Sequence, residues 1–344
     1  MRSTRSDIYK PDEIAVVHVM AKTVRHMFLF GYDEFTRKCY DHRRSWIEQQ
    51  LFLQAKFFGI DLIAYAVMSN HFHLVLCSRP DIVKTWDDTE VAKRWLYLCP
   101  KRKDASGNAL EPNEKELDSI RTKPKEVEKI RLRLSDISWW MRLACQKIAQ
   151  KANWEMKETG RFFNGRFKSV RLLDDEAILA CMVYVDLNPI RACISQTPEL
   201  SEHTSIKRRI EALNELGKKY AERSDGPLRP IELKDSASAD AIASQKNSKR
   251  CSDKGLLRMT SYDYTQLVEL TGQLPRIDKP GSIPDKLPPL LERLNLEMET
   301  WRLWTQEFGS LFSQAAGKVT SLAEARTLVS NRKYYCRAYR GKQA

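Results

Sequence analysis

The spacing of apolar side chains divides the chain into two stretches of different character. Residues 14–20, Ile-Ala-Val-Val-His-Val-Met, are a β-branched apolar run that reads as a buried strand carrying His18, a core or second-layer histidine. Residues 45–58 place Trp46, Ile47, Leu51, Phe52, Ala55 and Phe58 at three-to-four spacing. That pattern predicts an amphipathic helix, capped by Ser45 and stopped by Gly59. Residues 61–68 and 71–77 read as two strands joined by a tight turn at Ser69-Asn70, because Asn accepts turn conformations that most residues resist.

Residues 81–134 break the pattern. A short helix is expected near Trp95-Leu96-Tyr97-Leu98, followed by a charged run punctuated by Asp104, Gly107, Asn108 and Pro112. This stretch reads as an insertion, partly helical and partly mobile, either a DNA-facing arm or a variable surface loop. Helical periodicity returns over 135–152, with Ser135 as its expected cap. Residues 160–173 read as an extended edge in which Arg and Phe interleave. Asp174-Asp175-Glu176 then put acids at the positive end of a helix that Asn188-Pro189 stops. Beyond 200, the expectation is a basic helix over 206–221, a polar linker over 224–253 and helices to 339, one of them over 290–312.

Composition narrows the function classes. The chain has 344 residues, 42% of them hydrophobic and 30% charged, and its longest apolar stretches fall well short of the ~20 residues that span a bilayer. No apolar segment follows the charges of the first six residues, so no secretory signal is expected. The net charge of +13 points to a polyanionic partner. Between 121 and 171 there are 14 Lys or Arg and 5 Asp or Glu, a surplus of 14 − 5 = +9. The eight Cys form no C-x-x-C pair, which excludes a zinc knuckle and fits reduced thiols in a cytoplasmic protein.

The chemistry concentrates in two places. On a strand with period-two alternation, His71 and His73 point to one face, close enough to hold one cation. On the helix that follows Asp174, Tyr184 and Asn188 stand four residues apart and so stack on one face. A carboxamide oxygen with two imidazoles can hold Mg²⁺ or Mn²⁺ and leave positions open for substrate oxygens. Asn188 reads equally well as a helix stop before Pro189.

Met68-Ser69-Asn70-His71-Phe72-His73, followed by Tyr184-Val-Asp-Leu-Asn188-Pro-Ile-Arg191-Ala, resembles the HUH single-tyrosine transposases, and more narrowly the REP-associated tyrosine transposases. The resemblance covers about residues 10–200. It implies an α+β fold, a ferredoxin-like HUH core with a central antiparallel sheet and flanking helices, to which this chain adds a helical C-terminal extension. It also implies His71, His73 and Asn188 as metal ligands and Tyr184 as the nucleophile. The expected substrate is single-stranded or hairpin DNA, cut through a 5′-phosphotyrosine link. Arg166, Lys168, Arg171 and Arg191 are candidate phosphate contacts, and a homodimer is a candidate assembly. The domains expected are a catalytic unit over 10–205 with the insertion at 81–134, a basic helix and linker over 206–254, and a helical domain over 255–340. Two other readings remain open: a nucleic-acid-binding protein that keeps the scaffold without turnover, and a metallophosphoesterase that uses water.

Overall fold

The computed structural model describes residues 8–327, apart from 11, 25–26, 35, 216–221, 234–248 and 274–297. The strands are β1 (Val16–Lys22), β2 (Tyr32–Asp33), β3 (Lys38–Cys39), β4 (Ile60–Val67), β5 (His71–Ser78), β6 (Lys168–Leu172) and β7 (Ala315–Ala316). The helices are α1 (Arg43–Phe57), α2 (Pro80–Val83), α3 (Asp88–Leu98), α4 (Glu114–Arg121), α5 (Pro124–Leu134), α6 (Ile137–Met156), α7 (Asp175–Asp186), α8 (Asn188–Arg191), α9 (Ser205–Asn214), α10 (Ser261–Gln273), α11 (Met298–Leu311) and α12 (Val319–Thr327).

The expected hairpin forms. β4 and β5 pair antiparallel around Ser69-Asn70, and the Met68 amide donates to the His71 carbonyl at 2.8 Å. The five-stranded sheet runs β4-β5-β1-β6-β7, antiparallel except for the β6–β7 pair. The fold is mixed α+β. β4 and β5 are apolar on both sides because both faces of the sheet are covered. On one face, Leu62, Tyr65, Phe72 and Leu74 pack under α1 and α3–α6. On the other, Ala64, Ala66, Val75 and Cys77 pack under α7, joined by Ile206 of α9, Tyr264 of α10, and Trp301 and Phe308 of α11.

Two caps differ from expectation. α1 begins at Arg43, so Ser45 sits inside its first turn. α6 is capped by Asp136, whose carboxylate accepts the Ser138 amide at 2.7 Å, and Ser135 precedes it. Asp is as good a cap as Ser, so the neighbour with the better geometry takes the role.

The stretch 81–134, expected as a partly helical insertion, packs its helices into the core. It folds as α3, α4 and α5, whose Leu96, Leu117, Ile120, Val127, Ile130 and Leu134 enter the first core layer. Asn113 begins α4 with a full capping box to Glu116, a local signal that the breakers around it obscured. Arg131 of α5 donates to the carbonyls of Val83 (2.8 Å) and Trp86 (2.7 Å), locking the stretch to α2.

The described parts of 206–254 are not a free linker. The Arg229 amide donates to the Leu62 carbonyl at 2.8 Å, and Leu228 and Thr204 bridge to β4, so its outer edge is covered. Beneath this cover, buried Asp61 meets Arg79 at 3.3 Å and Arg229 at 3.4 Å. Burial pushes the Asp61 carboxyl up and the two guanidiniums pull it back. The last residues of the expected basic helix, the middle of the linker at 234–248 and residues 290–297 lie outside the described residues. α11 packs directly on α7 and shares the second core layer, and β7 adds a strand to the sheet, while Leu322 of α12 forms a small separate cluster with Ala315.

Candidate active site

Alternation along β5 sends His71, His73 and Val75 to the face that α7 covers. His18 of β1 lies opposite Val75 in the antiparallel register, so its ring reaches the same face. His18 Nε2 and His73 Nδ1 are 2.9 Å apart, with the rings nearly parallel at 6°. His71 Nδ1 is 2.7 Å from Asn70 Oδ1. An amide oxygen only accepts, so His71 carries its proton on Nδ1 and keeps the Nε2 lone pair.

Tyr184 comes to this cluster from α7. Its ring sits edge-on to His73 at 5.7 Å and to His18 at 6.1 Å between centroids. The phenol and the histidine pair therefore share one side of the sheet. α7 is positioned at its start by Asp174, which accepts the Ala177 amide at 2.8 Å. The same carboxylate accepts the Lys318 amide at 2.7 Å, tying α7 to the chain beyond β7. Phe308 of α11 lies 5.8 Å from the Tyr184 ring and 5.9 Å from His18. A Cβ at Gly309 would stand 3.2 Å from the phenol oxygen, so glycine leaves that oxygen its space.

Burial governs the charge states. It lowers His18 and His71 to about 4, Lys22 adding to the effect at His71, and lowers His73 well below the usual imidazole value, with His18 and His71 adding to it. All three imidazoles are neutral at pH 7, so each has one ring nitrogen with a lone pair. Burial raises the Tyr184 phenol, while Arg191 and the Asn188 amide pull it back. Tyr184 is thus a phenol, not a phenolate, in the protein alone.

Asn188 begins α8, and its Nδ2 donates to the Tyr184 carbonyl at 2.9 Å. Among the described residues, no three His, Cys, Asp or Glu side chains converge as a metal cluster. His71 offers its Nε2. His73 offers the same nitrogen in the tautomer where its Nδ1 donates to His18, and this donor set fits a borderline divalent cation.

Arg166 and Lys168 line a cavity of about 820 Å³ together with His18, His73 and Tyr184. Arg171 does not join them. It bonds Glu13 at 2.8 Å and the Ile8 carbonyl at 3.3 Å, tying the N-terminal segment to β6. Arg191 donates to the Thr305 carbonyl of α11, with its guanidinium carbon 5.8 Å from the Tyr184 ring centre. The cavity wall from Gln306 to Gln314 was not expected from sequence. Its apolar periodicity reads only as a packing helix, and no local signal marks Phe308 or Gly309 as site residues.

No family model matches the chain, and no curated protein matches it. Among solved structures, the chain is similar to one described as "Structure of the REP associates tyrosine transposase bound to a REP hairpin". The TM-score is 0.35 at 9% identity, covering 61% of this chain and 86% of that one. A likeness this weak carries over neither fold nor function, which rest on the chain's own geometry. Among the described residues, no helix is long and apolar enough to cross a membrane.

Proposed function

We propose that this chain is a metal-dependent single-stranded DNA nickase and strand transferase of the HUH single-tyrosine type. The observation that carries the reading is the convergence of Tyr184 with His71 and His73 on one side of the sheet, beside a cavity lined by Arg166 and Lys168. The strand order β4-β5-β1-β6, with α1 and α6 together on the opposite face, supports a ferredoxin-like core.

In this reading His71, His73 and the Asn188 carboxamide would hold Mg²⁺ or Mn²⁺. The bound cation would polarise the scissile phosphate and favour the phenolate. Tyr184 Oη gives up its proton and attacks phosphorus, the phosphorus bond to the strand's 3′-oxygen breaks, and that oxygen takes up a proton and leaves as a 3′-hydroxyl. The 5′-phosphotyrosine link keeps the linkage energy, so a 3′-hydroxyl can rejoin it. Arg166 and Lys168 offset phosphate charge, and Arg191 holds the Tyr184 helix against α11. Arg171, already paired with Glu13, is not assigned to DNA. One nucleophilic tyrosine in the site, Tyr184, holds one DNA end at a time. A homodimer joining two ends would have to use a surface other than the covered β4 edge.

The test is a denaturing gel for a covalent protein–DNA adduct, with Mg²⁺ or Mn²⁺ and hairpin-bearing single-stranded oligonucleotides. Adduct is expected with the wild-type chain and none with Tyr184→Phe, while hairpin binding persists. Cleavage by Tyr184→Phe to a free 5′-phosphate would assign the reaction to water. Binding without an adduct in the wild-type chain would leave a non-catalytic binding protein.

A further inference from the structure

The proposed site accounts for one face of the sheet and leaves α6, a basic helix of the other face, without a role. α6 packs on the first core layer, and its solvent side carries Trp139, Arg142, Gln146, Gln150, Lys151 and Trp154. Its one acid, Glu155, faces elsewhere: it bonds Arg43 at 2.8 Å and His42 at 2.7 Å. No carboxylate lies within ion-pair distance of Arg142, Lys147, Lys151 or Lys157 among the described residues.

The aromatics on this face are arranged among cations. Trp139 lies between Arg133 (4.4 Å to the ring centre) and Arg142 (4.7 Å). Lys151 stands 4.9 Å from the centre of the Trp46 ring. Trp154 is 83% exposed, an outlay of apolar surface that core packing does not explain. From Trp139 to Trp154 the helix rises about 22 Å, room for several nucleotides. The C-terminal end of α6 leads to the proposed site. Exposed Lys157, Arg161, Arg166 and Lys168 follow Trp154 in the chain, and the last two line the Tyr184 cavity. The Asn153 side chain fixes the start of this connection by donating to the Gly160 carbonyl at 3.0 Å.

We infer that the exposed face of α6 is a binding track for single-stranded DNA, with Trp154 as a base-stacking platform and the segment 157–168 as the path to the Tyr184 cavity. The inference rests on the proposed function for the identity of its ligand. Single strand is favoured over duplex because an exposed indole gains stacking only from an unpaired base, whereas duplex phosphates would use the cations alone.

The experiment is fluorescence anisotropy on the full chain in EDTA, with labelled oligo-dT of about 15 nucleotides and a blunt duplex of equal length. Trp154→Ala should weaken oligo-dT binding about ten-fold and Trp154→Phe should restore most of it. Lys151→Gln with Lys157→Gln should lower the slope of log affinity against log salt by about 1.4. Both positions are exposed, so folding should survive, which circular dichroism checks. Unchanged oligo-dT binding by Trp154→Ala, or a duplex bound as tightly as the single strand, overturns the inference. Because no metal or cleavage is involved, this result is independent of whether an adduct forms.

Discussion

Acidification between pH 7 and 5 should destabilise this protein through its buried histidine cluster. His18 is buried and lowered from 6.5 to about 4, so between these values the unfolded chain binds a proton that the folded chain does not. Stability from this group is fully present above about 6.5 and is lost as pH falls toward 4. From pH 7 to pH 5 the loss at His18 is about 2 kcal/mol. His71, lowered to about 4, and His73 act in the same direction. Asp186 opposes them. Burial raises it from 3.8 to about 6, so its protonation stabilises the folded state by about 1 kcal/mol over the same interval. Glu48, held near 2, contributes only below about pH 4.5. The net expectation is a fall in unfolding free energy between pH 7 and 5, measured by urea titration in EDTA. His18→Leu should flatten that slope by about 2 kcal/mol, whatever it does to stability at pH 7. An unchanged slope in the variant would refute the assignment of the acid sensitivity to this pair.

The remaining predictions concern positions away from the site. Glu48 is buried, accepts Arg208 at 2.5 Å and the Tyr65 hydroxyl, and faces His203 at 3.3 Å. Glu48→Ala should cost about 2–3 kcal/mol in urea unfolding, because it leaves the buried Tyr65 hydroxyl without its acceptor and takes from Arg208 the nearer of its two carboxylates. Gly255→Ala would put a Cβ 1.9 Å from the Glu232 carbonyl oxygen, a clash with backbone that cannot rotate away. It should cost about 3 kcal/mol and lower the thermal midpoint.

The sequence made legible what depends on short-range rules. Period-two alternation placed His71 and His73 on one face, and the Ser69-Asn70 turn fixed the hairpin register. Acids before α7 and Pro189 after it bounded the helix that carries Tyr184. What depends on long-range pairing was not legible. His18 joins His73 only because β1 inserts between β5 and β6, an order no local pattern states. Arg171 looked like its neighbours Arg166 and Lys168 until Glu13, 158 residues away in sequence, took its charge. The charged run 101–129 read as partly mobile because its apolar residues are sparse. They nevertheless fall on one side of α4 and α5, where Leu117, Ile120, Val127 and Ile130 reach the core.

The same distinction explains how the region after 255 enters the site. α7 is held at both ends by residues far along the chain: Asp174 accepts the Lys318 amide near its start, and Arg191 donates to the Thr305 carbonyl just after its end. Between these ties, Phe308 lies against Tyr184 and Gly309 leaves space for its oxygen. A tyrosine on α7 alone could shift along the sheet with little change in apolar burial, because α7 is apolar on most of its surface. The two polar ties remove that freedom, since sliding would leave a backbone N–H and a carbonyl without partners. The position of the phenol relative to the imidazoles is thus set jointly by the sheet, α7 and α11, and α11 belongs to the geometry of the site.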